Sequence, residues 1–493
     1  MTEADRDHAD PDHVTVGVDI GTTSVKAVAV TADGEVLAST RVPHAILTPR
    51  PNVLEHDARS AWHDGVRTAA RQVAVAAGRP VAAVNVAAMV PSLCPVGPDG
   101  LPIGPGLLYG DERAAGGTTG LDPSQDGEFQ RMLTHLARAY PDAAGYWPAQ
   151  AVANAALAGV GAIDSVAAMT TVPVFDYTTW DRSVCSQVGV RPEQLPGIRS
   201  GNEPVGTARD DLGPELVGAV VGPGTIDAFG EQLVAGADHP GDVLVIMGAT
   251  LITWACVPEW LEAPGLWTVP HTAPGMVLVG GPSNAGGLLV EWARRTLVAP
   301  DGLAGVPGVA EGAEHDVDPE DVPVLLGYLR GERTPLHDRS RRGEFLGLSV
   351  SHGPAAVWRG VFESSGHSVR HHLDLAGLLG PEHSVAAAAG PHRSARIVAT
   401  GGGTRVRPWV QAIADVTGLP VDVVATAEGG ALGAAWLARV SAGLAPDPAA
   451  AWTQPVERVE PDPAWRAGCD RRYRRFVEAS GPVFTPGDHG SEQ

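Results

Sequence analysis

The sequence predicts an α/β protein built from two similar domains, and three observations carry that expectation. The chain opens twice, about 230 residues apart, with a buried strand, a Gly/Thr turn and a returning strand. Its C-terminal part alternates strand, glycine turn, helix, strand, helix, the pattern of a parallel sheet whose ligands bind beyond the carboxyl ends of the strands. At 493 residues it is too long for one ordinary core, so two domains of roughly 200 to 250 residues are the natural division.

Positions 1–13 are acidic and His-rich without an apolar segment, and read as a solvated tail rather than a secretory signal. Val14, Val16 and Val18 then alternate along a strand, residues 21–24 form a polar turn, 25–30 return, and Asp33-Gly34 turns into a third strand. From Asp57 the period becomes helical, with Trp62, Val66 and Val73 on one face, and a strand follows at 81–87. The stretch 148–175 is mostly Ala and Gly but contains Gln150, Asn154 and Asp164. It falls short of the roughly 20 strongly apolar residues of a membrane span and is expected as buried helix.

The second opening comprises a strand at 242–247, the turn Gly248-Ala249-Thr250, a strand at 251–255 and another at 276–280. Then come a strand at 396–400, the turn Gly401-Gly402-Gly403, a helix at 406–417, a strand at 421–424, a helix at 428–440 and a terminal helix around 465–477. With a junction near 235–241, the expected division is 14–236, 237–445 and a C-terminal helix and tail over 446–493.

Composition removes several function classes. A chain with 44% hydrophobic and 19% charged residues, 61 Gly and 42 Pro fits a loop-rich enzyme, not a fibre or a disordered segment. The formal charge of −22 repels polyphosphate backbones, and no basic groove with interleaved aromatics is present, so nucleic acid is excluded as a partner. Cys94, Cys185, Cys256 and Cys469 are scattered without a CxxC pair, which indicates neither a zinc site nor a disulfide framework and points to a reducing, cytoplasmic setting. His367 and His371 have the i, i+4 spacing of metal ligands, with His372 beside them. No carboxylate or Cys joins them in the pattern of a ligand set, and they are read as core or solvated.

Of the 35 basic residues only Lys26 is a lysine. It lies at the end of Asp19-Ile20-Gly21-Thr22-Thr23-Ser24-Val25-Lys26, a tight polar turn between two strands. Backbone amides from Gly21 to Ser24 could face one concavity, the hydroxyls of Thr22, Thr23 and Ser24 add donors, and Asp19 could hold a hydrated Mg²⁺. A plain hairpin is the competing reading. Asp227 sits between Gly224 and Gly230, where the backbone permits close approach of a ligand. It could serve as a general base, or cap the following helix, or do both.

The Asp19–Lys26 segment resembles the first phosphate-binding motif of the sugar kinase, actin and heat-shock ATPase superfamily, whose domains are ribonuclease H-like. Further segments resemble the FGGY family of carbohydrate kinases. Gly224-Thr225-Ile226-Asp227-Ala228 is similar to the motif whose Asp is the catalytic base. Gly248-Ala249-Thr250 stands where the second phosphate loop is expected, with Ala249 in place of a Thr. Residues 331–335 and 343–348 are typical of the family, and 400–435 resembles its C-terminal signature.

That resemblance implies two actin-like domains with a ligand cleft between them, and ATP with Mg²⁺ as cofactors. It assigns phosphate binding to Gly21, Thr22, Thr23, Ser24, Lys26, Gly248 and Thr250, nucleotide binding to Gly401, Gly402, Gly403 and Thr404, the metal to Asp19 and catalysis to Asp227. It places Asp111, Arg113, Ser92 and Asp227 near a small sugar or polyol, although a salt-bridged loop would equally explain Asp111 and Arg113. Where xylulokinases carry Gln-Met-His-Gly and glycerol kinases Gln-Arg-Glu, this chain has Met89-Val90-Pro91-Ser92. D-xylulose is the leading acceptor; ribulose, fuculose, erythritol, glycerol, or a non-catalytic sugar sensor are the alternatives. Family members are often homodimers, and no membrane association is implied.

Overall fold

The computed structural model describes residues 13–50, 53–111, 113, 127–199, 203–270, 276–297, 317–379, 395–424, 429–444, 452 and 455–483. The expected tails, 1–12 and 484–493, lie outside the described residues. The principal elements run β1 (Val14–Ile20), β2 (Ser24–Val30), β3 (Val36–Pro43), α1 (Gly65–Ala77), β4 (Val81–Ala88), α2 (Ala149–Ala158), β5 (Thr225–Ile226) and α3 (Asp227–Ala235). There follow β6 (Asp242–Met247), β7 (Leu251–Val257), β8 (Val277–Ser283), α4 (Gly287–Thr296), α5 (Pro354–Leu375), β9 (Arg396–Thr400), α6 (Arg407–Thr417), β10 (Val421–Val424), α7 (Gly429–Ser441) and α8 (Arg466–Ser480).

These elements form two compact units, one of residues 1–234 with 428–452, the other of 235–427 with 453–493. In the first, the sheet order is Gly206–Thr207, Val220–Val221, β4, β1, β2, β3, with β5 also pairing β4. β1 and β2 are antiparallel, whereas β1, β4 and β5 run parallel. β1 is buried along its whole length, because α1 covers one face of the sheet and α7 the other. A Cβ on Gly17 would run into the Ala431 carbonyl, so glycine is what lets α7 lie directly on β1. The sequence order had put this helix with the C-terminal domain; in the structure it belongs to the first unit.

The second unit repeats the opening. Its sheet runs Trp267–Pro270, β8, β7, β6, β9, β10, Pro455–Val459, with β6 parallel to β9. Val243, Val245, Ile397 and Val421 are fully buried in its core beneath Trp358, Phe362 and Trp409 from α5 and α6. His367, His371 and His372 are buried in α5. Two local features differ from expectation. The edge strand Trp267–Pro270 was not foreseen, and 148–175 is not one helix. Left-handed Gly159, with φ of 76°, caps α2, after which a short strand at Ala162–Asp164 leads into the helix Ser165–Met169. Among the described residues no helix is long and apolar enough to cross a membrane.

Candidate active site

In the first unit the parallel register brings three separated segments to one end of the sheet. Asp19 lies opposite Ala87, Thr225 also pairs Ala87, and Ile226 pairs Ala88. The turn after β1, the Met89–Ser92 segment after β4 and Asp227 after β5 therefore share the carboxyl-end rim. Asp19 also stands opposite Lys26 across the β1–β2 ladder, with Lys26 Nζ 3.9 Å from Asp19 Oδ2. The Gly21 amide does not face a concavity as expected: it closes the turn on the Ser24 carbonyl at 3.0 Å. Among the described residues the N–H groups of Thr22 and Thr23 have no hydrogen-bond partner.

Asp227 is half-buried at the first position of α3. Burial pushes its carboxyl up; the Ala228 N–H, 2.7 Å from Oδ1, and the charge of Lys26 pull the other way. One helical turn on lies Glu231, a functional candidate outside the family motifs. Burial, and then the charges of Asp19 and Asp227, push it up to about 8 against the opposing charge of Lys26. Its Oε2 is buried without a hydrogen-bond partner among the described residues. The i, i+4 spacing from Asp227 was the signal that could have found it. α7 closes on this group from beneath: a Cβ on Gly430 would stand 3.0 Å from Asp19 Cγ, and Gly433 meets the backbone of Gly230.

The segment leading to Asp227 is held by side-chain amides, of which Gln150 and Asn154 read in the sequence only as interruptions of an apolar stretch and Asn85 carried no signal. Asn85 Oδ1 accepts from the N–H of Gly224 at 2.8 Å, where φ of 97° requires glycine. Gln150 Nε2 donates to the carbonyls of Ala88 and Thr225 at 3.2 and 3.3 Å. Asn154, four residues on and on the same face of α2, donates to those of Ala162 and Pro223. These side chains stitch β4, α2 and the segment leading to Asp227 together.

The residues assigned to the sugar carry structural bonds. Ser92 is buried and its Oγ accepts from the Ala149 N–H at 3.1 Å. Asp111 is buried, with Oδ2 accepting from Leu54 N–H at 2.8 Å and from Arg113 Nη2 at 2.7 Å. Its Oδ1 accepts from Arg113 N and Nε, and Arg113 also reaches Glu55 at 2.8 Å. Every lone-pair direction of Asp111 is thus used within the protein, by Arg113 in its own loop and by Leu54 from a separate segment.

In the second unit, β6 and β9 are parallel neighbours with Ile246 opposite Thr400, so the turn at 248–250 and the one at 401–404 lie side by side. Gly248 and Ala249 offer their carbonyls to the N–H groups of Gly287 and Leu288 at 2.9 and 3.0 Å, seating the N-terminus of α4 on the turn. A side chain on Gly286 or Gly287 would strike residues 248–251, which makes this glycine pair a further requirement absent from the sequence reading. Gly401, with φ of 91°, packs on Met247; Thr404 Oγ1 donates to the Gly401 carbonyl at 2.8 Å, and Gly402 has open space around it. Each unit thus ends its central strands in a glycine- and threonine-rich rim, to which the first adds Asp19, Asp227 and Lys26.

The N-terminal domain of the FGGY family of carbohydrate kinases matches residues 14–138, and its C-terminal domain matches 244–442. The chain is 30% identical over 453 residues to the xylulose kinase of Streptomyces rubiginosus, spanning 85% of this chain and 86% of that one. It is 24% identical over 469 residues to the gluconokinase of Bacillus subtilis (strain 168), spanning 87% of each. The crystal structure of xylulose kinase from Rhodospirillum rubrum matches with a TM-score of 0.79 and 25% identity, covering 95% of this chain and 98% of that one. Two family domains in order, and a relative matched along nearly its full length, establish that this chain is a member of the FGGY carbohydrate kinases, which phosphorylate an alcohol group of a small sugar or polyol.

Proposed function

We propose that the chain transfers the γ-phosphoryl of ATP to D-xylulose, giving D-xylulose 5-phosphate, with Asp227 as the base. The observation that supports the chemistry is the grouping of Asp227, Asp19 and Lys26 at one end of a parallel sheet beside two unpartnered turn amides. Phosphoryl transfer to an alcohol asks the protein mainly to position the reactants and to neutralise oxygens, with one carboxylate to accept the hydroxyl proton. In that reading the acceptor oxygen bonds to phosphorus as its proton passes to Asp227, and ADP leaves. A carboxylate raised by burial is a stronger base than an exposed one, which suits this role.

Lys26 and the N–H groups of Thr22 and Thr23 offer positive ends to phosphate oxygens. The donor set also fits Mg²⁺: Asp19, Asp227 and Glu231 are hard oxygen groups, the charges of the first two raise the third, and the Lys26 charge acts on both Asp227 and Glu231. A divalent ion would supply the missing positive charge at the phosphates, with Asp19 as the residue to hold it. In the second unit, the paired turns at 248–250 and 401–404 provide backbone without bulk, and the reading gives them to the nucleotide.

D-xylulose rests on the xylulose kinases among the relatives, and gluconate and glycerol are the informative competitors. ADP release should be measured with D-xylulose, D-ribulose, fuculose, erythritol, gluconate and glycerol. The expectation is a kcat/KM for D-xylulose at least about tenfold above every other acceptor. A different acceptor leading by that margin overturns the assignment.

A further inference from the structure

The carbonyl side of the turn after β1 is tied down by two histidines that lie outside the family motifs. His56 is fully buried, in a two-residue strand at Glu55–His56 that pairs with residues 106–107. Its Nε2 lies 2.9 Å from the Thr22 carbonyl, and its Nδ1 accepts from Trp62 Nε1 at 3.0 Å. An indole nitrogen can only donate and a carbonyl can only accept. Only the neutral imidazole with its proton on Nε2 satisfies both neighbours.

Everything around the ring maintains that state. His44 packs edge-on at 4.4 Å between centroids, while its own backbone N–H donates to the Thr23 carbonyl at 3.0 Å. Burial, followed by the neighbouring His44, pushes His56 down to about 4 against the raising effect of the Thr22 carbonyl. Trp62 is itself fully buried against Gly106, where any Cβ would collide with the indole.

A trans peptide is planar, with its C=O and N–H pointing in opposite directions. Holding the Thr22 carbonyl toward His56 therefore holds the Thr23 N–H away from it, on the side where that N–H has no partner among the described residues. We propose that His56, oriented by Trp62, is a positioning residue that presets the Thr23 amide of the turn to receive a nucleotide phosphate. This rests on the reading of residues 21–24 as a phosphate turn.

The side-chain amide of glutamine carries the same donor and acceptor pair, whereas leucine has the bulk and neither function. Calorimetric titration with Mg²⁺ and the non-hydrolysable nucleotide AMP-PNP, on wild type, His56→Gln and His56→Leu, separates the possibilities. The expected result is binding weakened about tenfold or more in His56→Leu and by less than about threefold in His56→Gln. The KM for the sugar acceptor should stay unchanged in both. Wild-type affinity in the leucine variant, or equal loss in the two variants, overturns the positioning role alone. A wild-type protein that does not bind AMP-PNP overturns the phosphate-turn reading as well. If the leucine variant does not fold, nitrogen-15 NMR of the wild-type imidazole decides: a proton on Nε2 sustains the proposal and a proton on Nδ1 ends it.

Discussion

Buried acids are treated in opposite ways by the long helix of the second unit and by the rim of the first. On α5, Glu363 accepts from Arg472 Nε at 2.6 Å and from Arg359 Nε at 2.8 Å, and Arg359 continues to Asp415 at 2.8 Å. Burial raises the Glu363 carboxyl, yet Arg359 and Arg472 outweigh it and bring it down to about 2. On the rim, Asp227 and Glu231 share the influence of one lysine and are both pushed up. Glu332 separates the causes. It accepts from Ser283 Oγ and from the N–H groups of Asn284 and Arg333, with the Arg333 charge the weakest of the influences lowering it, but burial still pushes it up to about 7. Full positive charges, more than hydrogen bonds, keep a buried acid ionised here. A helix that serves stability closes its charges internally, whereas a site that awaits a charged ligand leaves them open.

The largest expected effect tests the open side. Asp227→Ala should lower kcat by about 10² to 10⁴, or roughly 3 to 5 kcal/mol of barrier, while leaving AMP-PNP binding within a few-fold. A kcat within tenfold of wild type would remove Asp227 from the base role. The closed side predicts the reverse pattern. Arg472→Met leaves Glu363 with one of its two arginines and should destabilise the fold by about 3 to 5 kcal/mol in denaturant unfolding, because an underpaired buried charge remains. The KM values should not move. If unfolding shifts by less than about 1 kcal/mol, the α5 network is not the stabilising device described.

The same contrast explains what the sequence could disclose. The strands around both turns were legible because Val14, Val16 and Val18, and again residues 242–247, are apolar runs ending in Gly and Thr. The Asp19–Lys26 pairing was visible as proximity in sequence, and the ladder register makes it a contact. What stayed hidden depends on partners distant in the chain. His56 reaches back to Thr22 and forward to Trp62; Asn85 meets Gly224 across 139 positions. Gln150 and Asn154 looked like blemishes in an alanine helix until the carbonyls of Ala88 and Pro223 appeared beside them. α7 interrupts the second unit in sequence, and only the fit of Gly430 and Ala431 against Asp19 and Gly17 shows that it belongs to the first.

A smaller effect, in the pH dependence of stability, sharpens the contrast most directly. For Glu363 the folded state prefers the charged form, so its contribution is present above the ordinary glutamate range and is lost as pH falls toward about 2. For Glu231 the sign reverses. The folded state keeps a proton that the unfolded chain releases near 4.5, so this group costs stability progressively as pH rises from there to about 8. Glu231→Gln replaces the protonated acid with a neutral group of the same shape. The variant should match wild type at pH 5 and exceed it at pH 8 by on the order of 1 to 2 kcal/mol, a discount on the roughly 1.4 kcal/mol per pH unit of full linkage for a half-buried side chain. Thermal unfolding of both proteins from pH 5 to 8 without nucleotide reads this as two curves that diverge upward. Parallel curves would mean that Lys26 already compensates Glu231, and the rim would then be as closed as α5.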